Sequence, residues 1–293
     1  MLFKDDPAFA DVIPVDLAEA GGPWPLAVID VSESFTDCHA YFYALFRAGE
    51  KSKRCVKLTQ DVIRHNSANY TAWYWRRKCL ENMNHDDWSN SEIEFTNGWA
   101  IRSPKNYQVW FHRRWLVEHL KDYVVDLEDS ELQYLSKVLD CDSKNYNAWA
   151  HRFFITTLFG SSASPRELEF TEYMLNDDVL NNSAWSYRRQ LLDRMHPQGL
   201  PQSIIARERS FVLIALQLAP GNESAYWYLR SLPGLQTDQA VNDFLCDRHS
   251  DCRHTLMTKL EIARSRGLYG KELIDQLISV DPVREGYWNY LRS

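Results

Sequence analysis

Apolar residues recur at helical spacing along most of the chain. In residues 91–103 a face is formed by Ile93, Thr96, Trp99 and Ala100, and in residues 166–180 by Leu168, Phe170, Tyr173, Met174 and Leu175. Positions three and four residues apart lie on one side of a helix, whereas a strand needs period two. Alternating β-branched runs are almost missing from the sequence. The pattern therefore predicts an all-α protein.

A short motif recurs through these segments: Asn, three residues, an aromatic residue, and Arg three residues later. The copies are NYTAWYWRR (69–77), NYQVWFHRR (106–114), NYNAWAHR (145–152), NNSAWSYRR (181–189), the weaker NESAYWYLR (222–230) and the degenerate REGYWNYLR (284–292). The first five aromatic anchors are 37, 39, 36 and 41 residues apart, namely Trp73, Trp110, Trp149, Trp185 and Tyr226. This period is typical of helix-pair solenoids.

We predict that residues 37–293 form one domain of helical hairpins, in which each Asn opens the second helix of a pair. One helix pair cannot bury its own apolar face, so the hairpins are expected to stack as a crescent-shaped, tetratricopeptide-like α-α superhelix. Residues 1–36 are predicted to be an extended arm that packs along another element or a partner, because they contain Pro7, Pro14, Gly21, Gly22, Pro23 and Pro25. Helices are expected to resume near Asp37.

The repeated residues are predicted to be structural. The Asn suits an N-cap, and the alternative is a bond to the neighbouring turn. The aromatic anchor faces inward and contributes about 2–3 kcal/mol by burial. The Arg lies on the same face and is expected to pair with a carboxylate or carbonyl of the next repeat. This set comprises Asn69, Trp73, Arg76, Asn106, Trp110, Arg113, Trp149, Arg152, Trp185 and Arg188. His112 and His151 are interpreted as packed or surface residues.

Only the second and third copies read Lys-Asn-Tyr, followed by Gln108 and Asn147 respectively. These residues fall at helix N-termini, where free N–H groups and the helix dipole favour an anion. A lysine, a tyrosine hydroxyl and an amide at that edge are suited to a phosphate or a carboxylate. The alternative is that the lysine is simply solvated.

Composition narrows the function classes. The formal net charge of −7 argues against nucleic-acid binding, and 45% hydrophobic residues can build a large core. No apolar run approaches the roughly 20 residues of a membrane span, and the N-terminus does not predict a signal peptide. Six scattered cysteines without a C-x-x-C pair favour reduced thiols and a cytoplasmic location. Cys246, Cys252 and His254 lack metal-site spacing, so we expect no metal on this chain.

The repeats, above all "NSANYTAWYWRRKCLE" and "PKNYQVWFHRRWLVE", resemble the α subunit of protein prenyltransferases. The resemblance runs from about Tyr41 to the end, and Gln108 is similar to the residue of the α subunit shared by farnesyltransferase and type I geranylgeranyltransferase. The resemblance implies a heterodimer with a β subunit that holds the catalytic zinc, most of the isoprenoid pocket and most of the peptide site. Magnesium could accompany the diphosphate.

The implied reaction joins the cysteine thiolate of a C-terminal CaaX box to C1 of farnesyl or geranylgeranyl diphosphate, depending on the β subunit. By resemblance, Lys105 and Tyr146 are the diphosphate donors, Tyr107 lines the isoprenoid region, and Gln108 binds the peptide carboxylate. Two further substrate-binding residues are expected at the third copy, Asn145 and Asn147. Asn147 stands where the family often has histidine, and an amide cannot supply a proton or a full charge.

Two other readings compete with this one. The first is the α subunit of a Rab geranylgeranyltransferase, which is disfavoured by Gln108 and by a length that leaves no room for extra domains. The second is a non-catalytic, tetratricopeptide-like adaptor, which the repeat period alone does not exclude. Lys-Asn-Tyr confined to two adjacent copies favours the enzyme, because a uniform scaffold has no reason to single out two helix starts.

Overall fold

The computed structural model describes residues 2–17, 30–160, 165–247 and 252–292. Within these ranges the secondary structure consists of α-helices and short 3-10 turns without strands, so the all-α prediction is confirmed. The α-helices are α1 Glu33–Ala48, α2 Lys53–His65, α3 Tyr70–Leu80, α4 Ser89–Arg102, α5 Tyr107–Leu120, α6 Leu127–Cys141, α7 Tyr146–Leu158, α8 Pro165–Asp177, α9 Asn182–Met195, α10 Gln202–Leu218, α11 Glu223–Ser231, α12 Gln239–Asp247, α13 Arg253–Ser265, α14 Lys271–Val280 and α15 Glu285–Tyr290.

The chain divides into two compact units, Met1–Ile155 and Thr156–Ser293, and the boundary falls inside α7. In the first unit α2 packs on α3 and α4 on α5, and in the second α8 packs on α9 and α10 on α11. Each of the first five motif copies opens the second helix of its pair. A single repeat domain over 37–293 stays a prediction.

The N-terminal segment differs from the predicted extended arm. Its described part, residues 2–17, forms 3-10 turns at Phe3–Asp5 and Pro7–Phe9. Phe3 and Phe9 are buried and their rings contact Tyr41, so this part packs on its own chain. Gly21, Gly22, Pro23 and Pro25 lie outside the described residues. Helix α1 begins at Glu33 rather than near Asp37, because Ser32 caps it by accepting from the Phe35 N–H.

Two of the predicted inward faces need correction. Tyr173 is exposed on α8, while Glu167 and Thr171 are buried beside Leu168 and Met174. On α4 Ile93 is only half-buried, whereas its neighbour Glu92 is buried. In both helices the inward face includes polar residues that hydrogen-bond across repeats, and hydrophobicity alone does not reveal these positions.

At Asn106, Asn145 and Asn222 the repeated Asn performs both of its predicted alternatives at once. Its side-chain oxygen caps the helix that it opens: Asn69 accepts from Ala72 N at 3.1 Å, and Asn181 from Ala184 N at 3.2 Å. Its amide nitrogen reaches back to the turn of the preceding copy. Asn106 Nδ2 donates to the Ser67 carbonyl at 2.7 Å, and Asn222 Nδ2 to the Val179 carbonyl at 2.7 Å.

The anchor tryptophans use the same carbonyls. Trp73, Trp110, Trp149 and Trp185 are buried, and each indole N–H donates to the carbonyl six residues earlier at 2.8–2.9 Å. Trp73 and Asn106 therefore share the Ser67 carbonyl, and Trp185 and Asn222 share that of Val179. One backbone oxygen thus joins the anchor of one copy to the helix start of the next.

A buried carboxylate forms a second link between copies. Glu92 on α4 accepts from Nε and Nη2 of Arg76 at 2.7 and 2.5 Å, and a ring nitrogen of His112 lies 2.7 Å from it. Glu131 repeats the arrangement with Arg113 and His151. In the second unit Glu208 binds Arg188 and the Tyr228 hydroxyl, and Glu167 accepts from the Tyr187 hydroxyl.

The charge states within this link follow from the geometry. Burial opposes ionisation of Glu92, but Arg76 and His112 outweigh it and hold the pKa of the carboxyl at about 2. Burial lowers the pKa of His112 despite the neighbouring carboxylate. His112 is therefore neutral, and its Nε2–H donates to Glu92. Burial likewise raises the pKa of Tyr228, so its hydroxyl remains a donor to Glu208.

Glu92→Gln should lower the free energy of unfolding by about 3 kcal/mol or more, because it leaves the Arg76 guanidinium buried and unpaired. The matched control is Glu118→Gln, which breaks an ion pair to Arg114 whose side chains are about half exposed. This control should change the free energy of unfolding by less than about 1 kcal/mol. Urea denaturation of both variants measures the difference, and equal losses would contradict the assigned link.

Stability should fall in two stages as the pH is lowered. His112 and His151 have lowered folded pKa values, so the unfolded chain takes up protons first below about 6.5 and stability declines. Glu92 and Glu131 have folded pKa values of about 2 against an ordinary 4.5, so their contribution is present above 4.5 and lost as the pH falls through 2. Urea midpoints between pH 8 and 3 measure both stages. His112→Tyr introduces the residue type that binds the buried glutamate in the second unit. It should weaken the decline in stability that begins below about pH 6.5, and an unchanged profile would refute the assignment of that decline to the histidines.

Candidate functional site

The candidate site is built on the turn that precedes α5. Lys105 is exposed and directly precedes Asn106, whose side-chain oxygen accepts from the Gln108 N–H at 3.0 Å and so caps the helix. The amide nitrogen of Asn106 binds the Ser67 carbonyl of the first copy. The turn that carries Lys105 is therefore bonded to the preceding repeat.

The third copy holds the same turn from the other side. Asn145 Nδ2 donates to the Pro104 carbonyl at 3.3 Å, while its Oδ1 accepts from Ala148 N at 3.0 Å. Asn147 Nδ2 also donates to the Pro104 carbonyl, at 3.2 Å, as does the indole N–H of Trp110, at 2.8 Å. This oxygen thus ties the start of α7 to the residue immediately before Lys105.

Four polar side chains at these two helix starts are uncommitted. Lys105, Tyr107, Gln108 and Tyr146 make no side-chain hydrogen bond or ion pair with the described part of the chain. Tyr107 is 71% exposed and Tyr146 is 81% exposed. A free ammonium, two phenol hydroxyls and an amide at helix N-termini can donate to a bound anion. Asn145 and Asn147, also predicted as substrate-binding, are instead engaged with Pro104.

The predicted structural residues Trp149 and Arg152 lie in the repeat interior. Trp149 is buried, and Arg152 Nη1 binds the Leu132 carbonyl at 3.2 Å and Ser136 Oγ at 3.1 Å. His112 and His151, buried against Glu92 and Glu131, are packed residues. In the residues that the structure describes, no group of three or more His, Cys, Asp or Glu side chains is placed to hold a metal ion. Over the same residues, no helix has the length and apolarity needed to cross a bilayer.

Two functional features escaped the sequence reasoning. The carboxylates of the buried link carry a signal, because Glu92, Glu131, Glu167 and Glu208 each stand eighteen residues before the next aromatic anchor. The glutamates fall at one common position when the first helix of each pair is aligned by its distance from the anchor in the second helix. The Pro104 carbonyl leaves no such signal, since a backbone acceptor exists at every residue.

The repeats and the fold match a known protein family. The protein prenyltransferase alpha subunit repeat matches residues 53–83, 89–120, 128–159 and 164–195. A farnesyltransferase/geranylgeranyltransferase type-1 subunit alpha from Dictyostelium discoideum is 33% identical over 98% of this chain and 92% of its own length. The solved Candida albicans protein geranylgeranyltransferase-I complexed with GGPP matches 97% of both chains with a TM-score of 0.84 at 24% identity, which shows a shared fold.

The chain belongs to the protein prenyltransferase α-subunit family. Within that family the type-1 subunits are favoured over the Rab-type ones. A geranylgeranyl transferase type-2 subunit alpha from Mus musculus is 28% identical over 80% of this chain, but only 42% of its own length is covered. The match to the type-1 subunit is nearly full-length in both directions. The tetratricopeptide-like adaptor is likewise not favoured, because the repeats match the prenyltransferase model.

Lys105→Ala and Tyr146→Phe should leave the free energy of unfolding within about 0.5 kcal/mol of the wild type, because both side chains are exposed and uncommitted. Asn145→Ala is the contrasting variant, since it removes a helix cap and a bond to Pro104. It should cost about 1–2 kcal/mol. Urea denaturation compares the three. A large loss in Lys105→Ala would mean that the lysine has a structural role.

Proposed function

We propose that this chain is the α subunit of a heterodimeric protein farnesyltransferase/geranylgeranyltransferase type 1. The complex transfers an isoprenoid from its diphosphate to the cysteine thiol of a C-terminal CaaX box, and the partner β subunit selects the isoprenoid. One observation carries the proposal: Lys105 and Tyr146, uncommitted donors, stand at two helix starts that a single backbone carbonyl ties together. The type-1 relatives and the family repeats support it.

In the proposed reaction, a bond forms between the cysteine sulfur and C1 of the isoprenoid as the C1–O bond breaks. The electron pair of that bond stays on the departing diphosphate, so negative charge grows on the bridging oxygen and the α-phosphate. Lys105 and Tyr146 donate to these oxygens and stabilise the charge more in the transition state than in the ground state. Zinc, expected on the β subunit, would activate the attacking thiolate, and magnesium could neutralise part of the diphosphate charge.

The neighbouring donors have separate tasks in this proposal. Gln108 on the first turn of α5 donates to the C-terminal carboxylate of the peptide, and the exposed Tyr107 ring lines the isoprenoid and product region. Both side chains have freedom to do so, because neither is bound within the described part of the chain. This proposal gives the α subunit a role in leaving-group and peptide recognition, not only in scaffolding.

We place the complex in the cytoplasm. The six cysteines are free thiols in the structure, and a reducing compartment maintains cysteines in that state. The substrates are proteins with CaaX boxes and a soluble diphosphate, and the partner is the β subunit. Nucleic acid does not fit a chain with a net charge of −7.

Lys105→Ala should leave the heterodimer intact and lower its transfer rate about 100-fold or more, the loss typical for one donor to developing negative charge. The chain is co-expressed with a farnesyltransferase β subunit, and the purified complex is assayed by single turnover of labelled farnesyl diphosphate on a CaaX peptide. Lys121→Ala removes an exposed lysine just past the other end of α5 and should have no effect.

The outcomes separate the candidate functions. Co-purification with transfer, and a loss confined to Lys105→Ala, support the proposal. A wild-type complex that Lys105→Ala does not slow would remove the lysine from the mechanism. A chain that forms no complex and remains a stable monomer would support the adaptor instead.

A further inference from the structure

The Pro104 carbonyl accepts one more donor than the equivalent carbonyls of Ser67 and Val179. Ser67 accepts from Trp73 and Asn106, and Val179 accepts from Trp185 and Asn222. Pro104 accepts from the corresponding pair, Trp110 and Asn145, and also from Asn147. Among these three carbonyls, a third donor occurs only at the one beside Lys105.

The extra bond depends on the residue two positions after the repeated Asn. That position holds Thr71, Gln108, Asn147, Ser183 and Ser224 in the five copies. Serine carries a hydroxyl in place of the amide, and Ser224 leaves the Val179 carbonyl to Trp185 and Asn222. The longer Gln108 leaves the Ser67 carbonyl to Trp73 and Asn106. An asparagine side chain has both an amide N–H donor and the length to reach the Pro104 carbonyl. Asn147 is half-buried and lies on the first turn of α7, next to Tyr146.

Fixing this oxygen also fixes Lys105. The Pro104 carbonyl belongs to the peptide unit that ends at the nitrogen and Cα of Lys105, and that unit is planar. The proline ring restricts the preceding backbone dihedral as well. A bond from α7 to this oxygen therefore sets the position from which the lysine side chain starts, relative to the helix that carries Tyr146.

We propose that Asn147 is a positioning residue that acts through the Pro104–Lys105 peptide. It places the Lys105 ammonium against the diphosphate instead of contacting the diphosphate itself. The proposal rests on the proposed function, and it replaces the direct substrate contact expected from the sequence. A neutral amide suffices for this task, because the bond requires a donor and not a charge.

A double-mutant cycle tests the coupling. Asn147→Ser, Lys105→Ala and the double variant are prepared in the complex with the farnesyltransferase β subunit, and single-turnover rates are measured at saturating diphosphate and peptide. Asn147→Ser gives the position the residue of the fourth and fifth copies, so it suits the fold of a repeat. We expect a loss of about tenfold or more from Asn147→Ser alone, since small displacements of a catalytic group cost up to about 100-fold.

In the Lys105→Ala background the same substitution should cost less than about twofold, because residues that act through one another are not additive. The peptide KM should stay unchanged, whereas general damage to the site would raise it. Asn147→Gln should not recover the rate, because the longer Gln108 at the equivalent position of the second copy leaves the Ser67 carbonyl to Trp73 and Asn106.

Two results would overturn the proposal. Equal losses in both backgrounds would mean that Asn147 contacts the diphosphate independently of Lys105, and no loss in the wild-type background would mean that the position is permissive. The proposed function fails separately, if the wild-type complex does not form or does not transfer. That failure is seen in the wild-type complex alone and does not depend on comparing the variants.

Discussion

The constraint on which the helix starts depend is the bond that Asn106, Asn145 and Asn222 each make to a carbonyl of the preceding copy. The same side chain caps its own helix, so one residue fixes both where the helix begins and where it lies against the previous repeat. Replacing asparagine with aspartate would keep the cap and lose the donor. Only asparagine has an acceptor and a donor at this reach, which explains its return in copy after copy.

The polar residues of the chain divide by whether their hydrogen-bonding groups are committed. Glu92, Glu131 and Glu208 are fully engaged by arginine and by histidine or tyrosine, and leaving any of these charges unpaired inside the repeats would be costly. Lys105 and Tyr146 are engaged by nothing described in the chain and lie at its surface. Buried carboxylates paired inside the repeats are thus combined with a few unpaired donors at the surface, an arrangement suited to electrostatic preorganisation.

Much of the fold was predictable from the sequence because it repeats. The sequence predicted the helical spacing, the period of the aromatic anchors and the asparagine cap. Both alternatives for asparagine, the cap and the bond to the neighbouring turn, occur in the structure. Tyr173 was predicted on the inward face but is exposed, and the burial of Glu167 was not predicted. A buried polar residue follows the same helical spacing as an apolar one, but its low hydropathy gives no sign of burial. At the site, Lys-Asn-Tyr distinguished the second and third copies, and the family resemblance indicated Lys105 and Tyr146. The sequence did not indicate the role of Pro104, because its acceptor is a backbone carbonyl and two of its donors lie about forty residues along the chain.

The most direct measurement is an experimental structure of this chain with the β subunit and an unreactive farnesyl diphosphate analogue. The account predicts that Lys105 Nζ and the Tyr146 hydroxyl each lie about 3 Å from a diphosphate oxygen, with Asn147 still bonded to the Pro104 carbonyl. A diphosphate bound elsewhere, with Lys105 left in solvent, would contradict the claim that these helix starts serve the leaving group.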